Sequence, residues 1–96
     1  MSFEIGKLYQ WNPPEKHRKT SSNFGFSMFQ HKDRTEERIS QIPFDGSVLV
    51  IDKDRTVRGY CLKVLAASSI NANVGYIFID DKYSCDWVRL DTQRTL

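Results

Sequence analysis

Two histidines, two cysteines and a group of carboxylates are the residues of this chain that could do chemistry: His17, His31, Cys61, Cys85, Asp80, Asp81 and Asp86. A metal centre needs such ligands to converge. His17 and His31 stand in separate polar stretches, and Cys61 and Cys85 in separate apolar ones. Their spacing fits no zinc or redox pattern. A nucleophilic enzyme needs a serine or cysteine beside a base. The chain has no Gly-x-Ser-x-Gly turn, and Cys85 sits next to Asp86, whose negative charge opposes a thiolate. Asp80, Asp81 and Asp86 crowd around one turn, where carboxylates are ordinarily just solvated. No glycine-rich phosphate cradle is present. The expectation is a binding protein, with no catalytic residue, no metal and no cofactor.

Two stretches have the chemistry of recognition. Lys16, His17, Arg18 and Lys19 form a basic cluster. Phe24, Phe26 and Phe29 follow, then His31, Lys32 and Arg34. Between residues 16 and 34 there are five Lys or Arg against one acidic residue, Asp33, a net +4. Basic residues interleaved with aromatics neutralise phosphates and stack bases. Lys16, Arg18, Lys19, Lys32 and Arg34 are therefore the candidate nucleic-acid contacts. Against this, Glu36 and Glu37 come next, and aromatics at period 2 also suit a core strand. The second set is aromatic: Trp11 before Asn12-Pro13-Pro14, and Tyr83 and Trp87 near the acidic turn. Exposed, these would anchor a protein partner. Buried, they would close the ends of a barrel.

These residues must be positioned by short strands. Phe3, Ile5, Tyr9 and Trp11 alternate over residues 3–11, and Pro13-Pro14 ends that strand. Residues 12–23 are polar and read as an exposed loop. Phe24, Phe26 and Met28 alternate with small residues in a second strand. Residues 31–38 are polar, a loop with at most one helical turn capped by Asp33 or Thr35. Asp45-Gly46 signals a turn. Ser47 to Ile51 is a β-branched run with the length of a buried strand. Asp52 to Thr56 reads as the turn of a hairpin whose second arm is Val57 to Ala66. Val74 to Ile79 and Cys85 to Leu90 complete the set, and residues 91–96 form a polar tail.

The whole is 96 residues, 40% hydrophobic, 27% charged and formally +2, which suits one small folded domain. The N-terminus lacks the basic and apolar regions of a signal peptide. No apolar run approaches the ~20 residues that span a bilayer. A cytoplasmic location with reduced cysteines is expected, and no membrane partner. The pattern implies an all-β fold, or a β-rich one with one short helical turn, built as a barrel of five or six strands.

The order of parts resembles a Src-homology-3-like barrel. Gly6-Lys7-Leu8-Tyr9 is similar to its first strand, and residues 12–42 stand where its long first loop lies. Asp45 to Ile51 and Val57 to Leu65 resemble its central hairpin, and Gly75-Tyr76-Ile77 the opening of its fourth strand. Trp87-Val88 would close the barrel. The paired tryptophans and acidic loop that grip proline-rich peptides are absent, so the resemblance implies the fold and not that ligand. In size and style the chain also resembles small accessory proteins of tailed bacteriophages. The expected function is protein binding, as an inhibitor or accessory factor. Nucleic-acid binding through 16–34 is the alternative, and exposed strand edges offer a route to a homodimer.

Overall fold

A computed structural model describes residues 3–20, 25–31, 37–66 and 73–90. Among these described residues seven strands and two short helices follow one another: β1 (Leu8–Trp11), α1 (Glu15–Thr20), β2 (Gly25–Phe29), β3 (Arg38–Pro43), β4 (Ser47–Arg55), β5 (Gly59–Ala66), β6 (Asn73–Asp80), a 3₁₀ helix (Asp81–Asp86) and β7 (Trp87–Arg89). They form one sheet in the order β3-β2-β6-β5-β4-β1-β7. Every neighbouring pair is antiparallel. The sheet is curled into a half-barrel.

The inner face follows from period-2 alternation carried in register across the strands. Tyr9 lies opposite Val48 and Val48 opposite Ala66. Val50 lies opposite Val64, and Leu62 opposite Ile77. All of these are buried in one cluster. The curl is filled by aromatic rings. Trp87 stacks on Trp11 at 6.3 Å between centroids and takes Phe26 edge-on at 5.3 Å. Phe3 is on no strand, yet it is fully buried and edge-on to Tyr9 at 4.9 Å. Gly6, with φ +85°, turns the chain so that Phe3 folds back. The Glu4 amide then donates to the Tyr9 hydroxyl at 2.7 Å. Lys53 Nζ donates to the Phe3 carbonyl at 2.8 Å.

What bends the sheet is the β3–β4 corner. These strands are consecutive in the chain, yet β3 is at one edge and β4 lies next to β1 near the other. Asp45, with φ 66°, makes the turn. The Asp45 amide donates to the Trp11 carbonyl at 2.8 Å, and the Trp11 amide donates to the Gly46 carbonyl at 2.9 Å. The end of β3 is thereby fastened to the end of β1.

The all-β class stands, with seven strands where five or six are expected from sequence. Two local expectations are corrected. Residues 12–23 are not all loop, because Glu15–Thr20 is helical. The β4–β5 turn is Val57-Arg58, not 52–56, since Asp52 to Arg55 pair with Lys63 to Tyr60. Thr56 and Gly59 close that turn, amide to carbonyl at 2.8 Å, with the Gly59 amide on Thr56 Oγ1 at 3.0 Å. Ile51 is an extra residue between Val50, opposite Val64, and Asp52, opposite Lys63. This bulge lets a polar segment continue a buried strand. Of the expected loop at 31–38, residues 32–36 lie outside the described residues. No helix among the described residues is long and apolar enough to cross a membrane.

Two glycines separate steric from conformational cost. A Cβ on Gly59 would drive into the Ile79 carbonyl oxygen, whereas Gly6 has open space and a positive φ. Gly59→Ala is expected to cost about 3 kcal/mol or more, and Gly6→Ala about 1–2 kcal/mol. Denaturant unfolding of both variants checks this, and equal losses would refute the close approach at Gly59.

Candidate functional site

The basic cluster lies on α1. Pro14 starts the helix, its carbonyl accepting from the amides of His17 at 2.9 Å and Arg18 at 3.1 Å. Six residues are too few to be helical on their own, so the helix is held by its side chains. Arg18 is a brace: its Nη2 lies 3.0 Å from Asp45 Oδ1 and 3.2 Å from Asn12 Oδ1. Its Nε donates to the Pro13 carbonyl at 3.0 Å, and the guanidinium covers the Phe44 ring at 5.0 Å. That fixes the helix to the β3–β4 corner and leaves Arg18 engaged rather than presented to phosphate. Lys16 is exposed. The Lys19 side chain, Phe24, Lys32 and Arg34 lie outside what the structure describes.

The second brace was invisible in the sequence. His17 Nδ1 lies 2.8 Å from Asp86 Oδ2, across 69 positions of chain. A carboxylate only accepts, so the ring donates from Nδ1. Asp86 is 4% exposed. Its other oxygen receives the Cys85 S–H at 3.9 Å, and its carbonyl accepts the Asn12 amide at 2.7 Å. Tyr83 meets the His17 ring edge-on at 5.3 Å and carries Lys82 Nζ over its face at 5.1 Å. The cluster docks α1 onto the 3₁₀ helix. Cys61, which is buried, and Cys85, which is exposed, form no disulfide. Among the described residues no three His, Cys, Asp or Glu side chains gather as metal ligands.

The proposed aromatic anchors divide. Trp11 is 6% and Trp87 1% exposed, so both are core closure and neither reaches a partner. Their neighbours explain why: Phe3, Phe26 and Phe44 pack on them from three directions. Tyr83, at 38%, remains at the surface.

The largest feature that sequence reasoning missed is the outer face of the sheet. Leu8 pairs with Leu49, Leu49 with Leu65, and Leu65 with Val74. The Leu90 amide donates to the Leu8 carbonyl at 2.9 Å, which extends the same row onto the end of β7. Five aliphatic side chains thus stand side by side across five strands, facing away from the core. Leu8, Val74 and Leu90 are each about two-fifths exposed or more. Beside the row lie Gln10, Ser47 and Val88 on one flank, and Asp52, Lys63 and Tyr76 on the other. The signal was present: β4 and β6 are apolar at consecutive positions, the pattern of strands covered on both faces.

At the far end of the β4–β5 hairpin, on the side of the core, Arg55 grips Asp81 with two hydrogen bonds, at 2.6 and 2.8 Å, and covers the Tyr60 ring at 4.7 Å. The hydrogen bonds, and secondarily the charge, hold the Asp81 carboxyl below the ordinary carboxylate range. Stability from the pair is therefore complete above that range and lost as pH falls through the lowered folded value. Both groups are solvent-exposed, so the effect is one of titration more than of folding.

Two measurements follow from these contacts. In an NMR titration the Asp81 carboxyl is expected to titrate below its ordinary range and to return to it in Arg55→Ala; an unmoved midpoint would show that the bidentate pair does not form. For His17 and Asp86, a double-mutant cycle of His17→Ala and Asp86→Asn is expected to give a coupling of about 1–3 kcal/mol. Strict additivity would mean that α1 is not docked through them.

No family model, no curated protein and no solved structure matches this chain.

Proposed function

We propose that the chain is a non-catalytic binding module that acts through protein–protein contact, as an inhibitor or accessory factor, using the outer face of its sheet. The observation that carries this reading is the in-register row Leu90-Leu8-Leu49-Leu65-Val74. A small sheet protein needs one apolar face to fold, and this one has two. Aliphatic side chains aligned across five strands form a patch, in contrast to the scattered apolar residues of any surface. With strands about 4.8 Å apart the row is about 19 Å long.

A Src-homology-3-like architecture belongs to the same proposal. It is supported by five strands that neighbour one another in the order β7-β1-β4-β5-β6, with the β2–β3 hairpin inserted after the first. The short closing strand follows directly on a 3₁₀ turn. The nucleic-acid reading is weakened by Arg18, whose charge is met by Asp45.

Affinity capture from host lysate, with and without nuclease, tests the proposal. Wild type is expected to retain a protein that survives nuclease, and Leu8→Lys with Val74→Lys is expected to lose it at least tenfold while keeping the wild-type circular dichroism. Recovery that vanishes with nuclease, and is reduced by Lys16→Ala instead, would overturn it.

A further inference from the structure

We infer that the pocket filled by Phe3 is a peptide-recognition site, and that residues 3–5 occupy it as an internal ligand in place of a partner segment carrying an aromatic side chain followed by a carboxylate. The site lies on the inside of the curl and is separate from the outer face.

Residues 3–5 are held as a bound peptide is held, by side chains and not by a ladder. The Phe3 ring is met edge-on by Tyr9 of β1 at 4.9 Å, Tyr60 of β5 at 5.2 Å and Trp87 of β7 at 6.5 Å. The Phe3 carbonyl accepts from Lys53 Nζ at 2.8 Å, and the Glu4 amide donates to the Tyr9 hydroxyl at 2.7 Å. Arg89 Nη1 donates to Glu4 Oε2 at 2.6 Å. An anchor ring, the main-chain groups beside it and the next side chain are thus each met by a different part of the sheet. The residues that meet them all stand on strands, so the walls are positioned without the strap. Lys53 and Arg89 give the site a positive character that favours an acidic segment.

The strap is also built to leave. Phe3 is fully buried, whereas Glu4, Ile5 and Gly6 are exposed. The segment joins the sheet through a turn closed by the Lys7 amide on the Glu4 carbonyl at 3.3 Å. Gly6, with φ +85°, holds the third position of that turn, where a positive φ is required. A Cβ there would meet nothing within 4 Å, so the hinge has room to move. The occupant is also imperfect. Trp87, one wall of the pocket, keeps its indole N–H buried without an acceptor among the described residues, and a phenyl ring offers it no lone pair. Burial of one phenylalanine ring favours closure by about 10- to 100-fold. The open form is therefore about 1–10% of the population, and a segment in trans binds wild type with its affinity reduced by that fraction.

The probe is the blocked tripeptide acetyl-Phe-Glu-Ile-amide, titrated into the full chain and followed by tryptophan fluorescence. Phe3→Ala, which vacates the pocket, is expected to bind it about 10- to 100-fold more tightly than wild type. The same variant is expected to bind acetyl-Phe-Gln-Ile-amide about threefold more weakly, and to lose that preference when combined with Arg89→Ala. Glu4→Lys keeps the anchor and breaks only the exposed contact with Arg89. It is expected to bind the tripeptide about two- to fivefold more tightly than wild type. As a check independent of any variant, the Glu4 amide of wild type is expected to exchange its hydrogen through a local opening that leaves the amides of β5 protected. A Phe3→Ala chain that takes up toluene but not the tripeptide overturns the inference, because Phe3 is then only a core filler. A Glu4 amide that exchanges only with β5 overturns it too. If Phe3→Ala does not fold, Glu4→Lys decides: tripeptide binding no tighter than that of wild type sinks the proposal.

Discussion

The fold depends on a pair of backbone hydrogen bonds at one residue. Trp11 gives its amide to Gly46 and accepts from Asp45, and with that the corner after β3 is fastened to the end of β1. Without this fastening the sheet would be an open ribbon with β3 and β4 far apart. With it, the inner face closes over Trp11, Trp87 and Phe26. The same corner supplies the Asp45 carboxylate that Arg18 takes and the Phe44 ring that Arg18 covers. Helix, corner and strand end thus share one junction.

A six-residue helix at that junction is a tertiary object. Its backbone bonds could not order it alone. Its position comes from Arg18 on one side and His17 on the other, where a nearly buried carboxylate needs a donor. Removing the donor would leave Asp86 with an unpaired charge in a poorly solvated place, so the pair defines an orientation more than it adds stability.

The inner face was legible because period 2 is a direct consequence of strand geometry. That alternation is enough to place Tyr9, Val48, Val50, Leu62 and Val64 in a core. The hairpin turn was misplaced because Asp52 to Arg55 look like a turn by composition, yet the Ile51 bulge realigns them as paired strand and the sharp reversal falls on Val57-Arg58. The helix was missed because its fasteners, Asp45 and Asp86, lie 27 and 69 positions from their partners. Trp11 and Trp87 stay undecided between anchor and closure in the sequence, because an aromatic beside prolines or acids reads equally as either until its neighbours are known. The outer row is a property of register, and register between strands is not written in any one of them.

Both tryptophans of the chain stand in the closure cluster, 6.3 Å apart and inclined by 28°. Their transitions are near enough to couple. The tryptophan fluorescence of this protein therefore reports on the closing of the curl. An event on the outer face, which carries no indole, leaves that optical signal undisturbed. Indole emission from this molecule speaks of its interior, and its surface, where Tyr83 lies, must be followed by other means.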